Sequence, residues 1–355
     1  MALNASAIFW LNAQHGRDKG MTTTTPAEAK FPPRLVDGRG RGWYRGDCHV
    51  HSRRSHGGEL TPEQLASAAR EVGLDFIAIT EHNTADTHAA WGSLAGDDLL
   101  VVLGQEVVTD TGHWLALGLE PGQFIDWRYH PRDGVIGEAL DQVHRAGGVC
   151  VVAHPHAPYP SGAFKYSFQG FDAVEVWNGL WSSDLPWNAD NEAAVAEWGR
   201  GLAAEIHHGR WRPAIGNSDV HLRGQIGTPQ TVVLAEELGT AAVLAGIRAG
   251  HTWIADSGAV RLSFTARADE RSVGIGEQLN AGGAPVVARV KVTGVPSGTV
   301  SFHTDRGAVH HDVLPHEGAG TIDWRTSAKE SMFIRVEVRH PTAHMAAMTN
   351  PIIIS

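Results

Sequence analysis

Asp47-Cys48-His49-Val50-His51 closes a short apolar stretch that begins near Trp43. On an extended segment residues i and i+2 point to the same side, so His49 and His51 can turn both imidazoles toward one metal ion. In a chain with 21 histidines an isolated His-x-His pair can arise by chance. Its meaning depends on whether other strand ends supply further ligands.

The chain on either side repeats one arrangement. Thr61-Pro62-Glu63-Gln64 opens a helix, with Thr61 as cap, Pro62 in the first turn and Leu65, Ala68, Ala69 and Val72 on one face. Leu74 to Thr80 then reads as a buried strand that ends at Glu81-His82-Asn83. Leu99 to Leu103 leads into Gly104-Gln105-Glu106, and Trp114 to Leu119 is entered from Gly112-His113. A helix over about Val135 to Arg145 precedes a strand from Val149 to Ala153, which delivers His154-Pro155-His156. Ala173 to Trp177 ends in Asn178-Gly179, and a long helix over about Asn188 to His207 leads to Pro213-Ala214-Ile215-Gly216 and then Asn217-Ser218-Asp219-Val220-His221. Strand and helix alternating through short turns predict a parallel α/β sheet or barrel, with its chemistry at the C-terminal ends of the strands.

Past Gly258 the texture changes to short alternating strands, Val260 to Ala266, Val286 to Val292, Thr299 to His303, Met332 to Val338 and Ile352 to Ile354, separated by Gly, Pro, Asp and Asn turns. That pattern predicts a small all-β sandwich. The organisation expected is therefore a leader over residues 1–30, a barrel over 31–258 and a β-sandwich over 259–355. His303, His310, His311, His316, His340 and His344 in the last unit share no ligand spacing and read mostly as surface residues.

Composition narrows the class. The 355 residues are 42% hydrophobic and 19% charged, as in an ordinary globular protein able to bury a sizeable core. A formal net charge of −10 speaks against nucleic acid or an anionic membrane as partner, because either calls for a basic stripe. The apolar patch Ala7 to Leu11 has no basic leader, and no apolar run approaches the roughly 20 residues of a membrane helix. Cys48 and Cys150 are too few for a disulfide framework, which favours a reducing, cytoplasmic setting. A small-molecule substrate is the expected partner, and oligomeric state is not legible.

Taken together, the strand ends offer His49, His51, His82, Glu106, His154, Asp219 and His221. Singly each reads as a turn or capping residue; jointly they favour a metal cluster. Asp47-x-His49-x-His51, Thr80-Glu81-His82-Asn83, Gly104-x-Glu106, Ala153-His154-Pro155 and Ser218-Asp219-x-His221 resemble, in order and spacing, the motifs of the PHP (polymerase and histidinol phosphatase) metallohydrolases. Glu175-Val176-Trp177-Asn178-Gly179 and the trailing β unit look more narrowly like the members that include carbaryl-type carbamate hydrolases.

The resemblance implies an α/β fold, a distorted (β/α)7 barrel, holding two or three divalent ions. Carried over by residue, His49, His51, Glu106 and Asp219 would hold one ion, with Glu106 bridging to a second that also takes His154 and His113. His82, His221 and His56 would hold a third, although His56 departs from the Asp common in that subfamily. Asp47 is expected to orient an imidazole or a strand end. Histidine and carboxylate ligands without cysteine suit Zn, Mn or Fe.

Such a centre predicts hydrolysis by a metal-bridging hydroxide, a shared water whose pKa falls toward ~7, with Glu106 and Asp219 as the key carboxylates and no amino-acid nucleophile. His156 and Tyr159 are candidate proton donors to the leaving group. Arg53, Arg54, Lys165 and Arg223 could neutralise a phosphate, with Asn178 as a further substrate contact. Trp177, Trp181, Trp187, Trp198 and Trp211 could instead line an apolar pocket for an aryl ester or carbamate, Trp198 being better suited to a core. A phosphoesterase is the leading expectation and a carboxylic ester or carbamate hydrolase the alternative. A non-catalytic barrel beside a working β-sandwich is a third possibility, opposed by the intact ligand set.

Overall fold

The computed structural model describes residues 30–355, so nearly all of the expected leader lies outside the described residues. The first part of the chain runs β1 (Gly42–Val50), α1 (Pro62–Glu71), β2 (Phe76–Ile79), β3 (Leu100–Thr109), β4 (Gly112–Leu117), α2 (Ile136–Arg145), β5 (Val149–Val152), β6 (Ala173–Asn178), α3 (Asn191–Glu205), β7 (Ala214–Asn217), β8 (Gln230–Ala235), α4 (Thr240–Arg248) and β9 (Thr252–Ala255). The C-terminal part contributes β10 (Arg261–Ala268), β11 (Arg271–Gly274), β12 (Gln278–Leu279), β13 (Val286–Thr293), β14 (Thr299–Thr304), β15 (Gly307–Val313), β16 (Gly320–Thr326), β17 (Phe333–Arg339), β18 (Met345–Thr349) and β19 (Ile352–Ile354).

Local chemistry fixes the ends of these elements. Thr61 accepts from the Gln64 backbone N–H while the Gln64 side chain accepts from the Thr61 N–H, a reciprocal cap with Pro62 in the first turn of α1. Asp190 caps α3 by accepting from the Ala193 N–H, so that helix starts later than Asn188. The central strands are buried on both faces. On β5, Val149 and Val151 pack toward Tyr44, Phe76, Leu100 and Leu115, while Cys150 and Val152 pack the other way toward Trp114, Leu140 and Trp198. Both cysteines are free and buried.

The architecture is mixed α/β and dominated by strands, and it fits a (β/α)7 barrel only loosely. One large curled sheet carries the order β9-β8-β1-β2-β3-β4-β5-β6-β7, with four α-helices among the described residues. Where the alternating pattern predicts parallel strands, β3 and β4 form an antiparallel hairpin, β4 pairs antiparallel with β5, and β8 pairs antiparallel with both β1 and β9. The physical reason at β3–β4 is the short Asp110-Thr111 connection, which leaves no room for a crossover helix. β7 reaches back to β1 and β8 largely through side chains. The Thr231 hydroxyl bonds both the N–H and the C=O of Gly216, and Asn217 Oδ1 accepts from the Cys48 N–H.

The C-terminal strands form a separate sheet, β11-β10-β13-β16, facing β14, β17, β18 and β19 across a common apolar core. That second layer is continuous with the first unit, because β18 pairs with β9. Buried Asn350 adds a further link, exchanging hydrogen bonds with the Ala214 backbone on β7. Of the six C-terminal histidines, His303 is not a surface residue; its side chain is 16% exposed, with Nε2 3.6 Å from Glu337.

Candidate metal centre

The ligand-type side chains converge at one end of the curled sheet. His49 and His51 close β1, Glu81 and His82 follow β2, His154 follows β5, and Asp219 and His221 follow β7. The antiparallel turn between β3 and β4 brings His113 back beside Glu106, an outcome that parallel strands would not give. His154 and Asp219 both have positive φ, 24° and 49°. Conformations of this kind are costly for residues other than glycine and persist where surrounding structure holds them.

Glu106 is the hub. Its Oε1 lies 3.0 Å from His113 Nδ1 and 3.2 Å from His154 Nε2, while Oε2 lies 3.1 Å from His82 Nε2, 3.4 Å from His51 Nε2 and 3.5 Å from His49 Nε2. Asp219 Oδ1 stands 3.0 Å from His51 Nε2 and 3.3 Å from His49 Nε2. Atoms bound at about 2.0–2.2 Å to a common ion lie roughly 2.9–3.5 Å from one another, so these spacings suit edges of coordination polyhedra. Three compact groups result: His49, His51 and Asp219; His49, Glu106 and His154; and His51, His82 and His221.

A ring of buried groups sets which nitrogen faces inward. His49 Nδ1 donates to Glu175, whose carboxylate also accepts from the His154 N–H, Asn178 Nδ2 and Asn217 Nδ2. His51 Nδ1 donates to Ser55 Oγ, which in turn donates to Glu81. His221 Nδ1 donates to the Asp219 carbonyl. In each case Nε2 is left with its lone pair for an ion. Asp47 makes no contact to an imidazole; it accepts from the His49, Ser218 and Gly227 N–H groups and the Ser218 hydroxyl, tying the end of β1 to the loop after β7.

The residues fit divalent metal on a direct test. His49 Nε2, His51 Nε2 and Asp219 Oδ1 are buried and have no hydrogen-bond partner, although buried polar atoms are normally paired. His49 Nε2 faces the carboxylates of Glu106 and Asp219, so lone pairs oppose one another unless a cation intervenes. The electrostatics agree: burial would depress His49, yet Asp219, Glu175 and Glu106 hold its pKa well above the usual histidine range. Burial, with His82 and His221 alongside, keeps His51 well below that range and neutral, the form that binds metal. Burial would raise Glu106, but His49 and His113 hold it well below the ordinary carboxylate value.

Several candidates lie elsewhere. His56 is exposed and outside every ligand group; its neighbour Ser55 takes the inward position. His156 turns toward α3, where Nε2 bonds Glu197 at 2.8 Å, because the loop after Pro155 leaves the strand end. Tyr159, by contrast, packs its ring 6.0 Å from His113 and 6.3 Å from His154. Arg53, Arg54 and Lys165 are exposed, Lys165 Nζ bonding the Pro160 carbonyl. Arg223 shares a cavity with Asp219, and so does Asn178, whose side chain donates to Asp219 Oδ2 at 3.3 Å and holds that ligand in place.

Of the five tryptophans expected at the mouth, only Trp187 lines that cavity; Trp177, Trp181 and Trp198 are buried, and Trp211 lines a different one. Sequence reasoning missed the roles of Glu175, Glu81 and Ser55. A carboxylate between the apolar Val174 and Val176 of β6 was the available signal for the first. A fourth ligand-type group, His144, Cys150 and Asp172, is already self-satisfied, with Asp172 engaged by His144, Arg248 and the Cys150 N–H.

No protein-family model matches the chain. It is 25% identical over 146 residues to an uncharacterized protein of Methanocaldococcus jannaschii, which covers 38% of this chain and 81% of that protein. Among solved structures it is similar to a two-domain protein from Bacteroides vulgatus containing a predicted PHP-like metal-dependent phosphoesterase, with 15% identity, a TM-score of 0.48, and coverage of 93% of this chain and 100% of the other. It is also similar to a lesion-specific endonuclease from Pyrococcus furiosus, with 15% identity, a TM-score of 0.38, and coverage of 58% and 56%. Likenesses this distant do not transfer an activity, and the functional assignment rests on the site.

Proposed function

We propose that this chain is a metal-dependent hydrolase of the PHP type and that it cleaves a phosphate ester. The observation that carries the proposal is Glu106, whose two oxygens each face a different set of imidazoles, as a carboxylate shared between two ions would. His49, His51 and Asp219 would hold one ion, His113 and His154 a second through Glu106, and His82 and His221 a third beside His51. Zn, Mn and Fe all suit this donor set. Divalent ions held there would supply an activated water and positive charge for the developing oxyanion.

The chain's own residues do the rest. Asn178 and Glu175 orient Asp219 and His49. Tyr159, whose ring packs 6.0 Å from His113 and 6.3 Å from His154, carries a phenol that is protonated at neutral pH and can donate to substrate at the His113 end. Arg223, on the wall of the cavity that contains Asp219, supports an anionic substrate.

Cleavage of a carboxylic ester or carbamate is the second reading, supported by the apolar Leu180 and Trp187 in the same cavity. The test is a panel of p-nitrophenyl phosphate, bis-p-nitrophenyl phosphate and naphthyl carbamate with added Mn²⁺ or Zn²⁺. Turnover of the phosphates is expected; turnover confined to the carbamate would overturn the phosphoesterase reading. Failure to take up any divalent ion would favour a binding module instead.

A further inference from the structure

Beside Asp219 lies a cavity whose walls come from two loops, residues 178–188 and 222–228. The first wall presents Leu180, 50% exposed, and Trp187, 46% exposed, with Leu185 between them. Large apolar side chains left open to water beside a reactive centre mark a surface that an apolar group covers.

Hydrogen bonds tie down the start of each wall. The Asn191 side-chain amide donates to the carbonyls of Asn178, Leu180 and Trp181 at 3.2–3.3 Å, and Trp177 Nε1 donates to the Gly179 carbonyl at 2.9 Å. On the opposite wall Gln225 Oε1 accepts from the His221 and Leu222 N–H groups at 2.8 and 2.7 Å, fixing the turn that carries Arg223. The Arg223 side chain has no carboxylate partner among the described residues. The cavity thus offers one apolar wall and one cation without a carboxylate partner among the described residues, both next to a ligand of the proposed metal centre. A group that is charged at one end and apolar at the other satisfies both.

We infer that the substrate is a phosphate ester of a planar apolar alcohol, an aryl phosphate in chemical class. Its ring lies against Leu180 and Trp187, and its phosphoryl group faces Arg223 and Asp219, where a divalent ion held by Asp219 would add positive charge. The inference rests on the phosphoesterase reading and adds the identity of the leaving group. Small alkyl phosphates lack the ring, and uncharged aryl esters leave Arg223 unpaired.

Calorimetric titration of metal-loaded protein with phenylphosphonate and methylphosphonate, which cannot be hydrolysed, tests the inference. The wild type should bind phenylphosphonate about tenfold more tightly or better. The double substitution Leu180→Ala with Trp187→Ala should cut that preference below about threefold while metal content stays at the wild-type level. Arg223→Ala should weaken both ligands about equally, by roughly tenfold. A wild type that does not discriminate, or a preference that survives the double substitution, overturns the aryl assignment and leaves the phosphoesterase reading standing. If neither phosphonate binds the metal-loaded protein, both fall together.

Discussion

Glu175→Gln is the most informative single change, because it preserves shape and alters only what the buried carboxylate can accept. Every contact to Glu175 is a donor: His49 Nδ1 at 3.1 Å and Asn217 Nδ2 at 2.9 Å to Oε1, and the His154 N–H at 2.9 Å and Asn178 Nδ2 at 3.0 Å to Oε2. A glutamine must turn its NH₂ toward one of these pairs. Facing Asn217 and His49, it forces His49 to accept at Nδ1 and to carry its proton on Nε2, the nitrogen aimed at Glu106 and Asp219. Facing His154 and Asn178, it leaves the buried His154 N–H unpaired and Asn178 Nδ2 with Asp219 alone. Losing such an orienting carboxylate costs about 10–100-fold in metal affinity, or about 1.4–2.7 kcal/mol. Competition titration against a chromogenic chelator at fixed pH measures the affinity, with circular dichroism and thermal melting confirming the fold. A folded variant whose affinity stays within threefold of wild type would refute the assignment of the Glu175 carboxylate as a support that the metal ligands need.

Glu106→Gln should be worse, because one residue faces both imidazole sets. Bound metal should drop by at least one equivalent by elemental analysis, and kcat/KM should fall on the order of 10³-fold, about 4 kcal/mol. His56→Ala and His156→Ala, by contrast, should each leave metal content unchanged and kcat/KM within about threefold, since one is exposed and the other pairs with Glu197; a large loss from either would mean that the loops rearrange around substrate. The Glu337 cluster predicts acid sensitivity of a different origin. Burial would raise Glu337, but Arg335, His303 and Arg339 bring it from 4.5 to about 2, so the stability it contributes is present above about pH 4.5 and lost as pH falls toward 2. Burial, with Arg335, lowers His303 from 6.5 to about 4, so protonation works against the fold as pH drops from about 6.5 to 4. His303→Gln should flatten the urea-midpoint profile between pH 6.5 and 4, and an unchanged profile would refute that role.

The sequence was most legible where local rules suffice. The reciprocal cap at Thr61 and Gln64, the apolar runs of β2 and β5, and the polar residues that follow them are set by neighbours in the chain. The antiparallel departures were less legible, because alternating strands and helices leave the partner of each strand open; only the short Asp110-Thr111 link betrays the β3–β4 hairpin. The pairing of β18 with β9 depends on residues almost a hundred positions apart and has no local signature. Within the site, ligands at strand ends could be read from residue type and position. Which of Ser55 and His56 points inward, or whether His156 follows His154 into the cluster, depends on backbone direction in a loop, which residue identity does not encode.

The centre carries a cost in backbone strain. His154 and Asp219 hold positive φ, and conformations of that kind cost about 1–3 kcal/mol each. Their strain is countered by bonds that also set the chemistry: the His154 N–H is tied to Glu175, and the Asp219 carbonyl is tied to His221. Glu175, Glu81 and Asp47 are each buried, and each is surrounded by donors rather than by arginine or lysine. They therefore leave their negative charge in the field at the cluster. Five imidazoles lie around Glu106, with His51 held neutral and His49 drawn toward protonation. A proton on His49 answers that field at only one point, and the lone pairs of His51 and Asp219 stay unpaired. Divalent cations answer it throughout, so the outer carboxylates and the inner ligands make physical sense as one unit with metal between them.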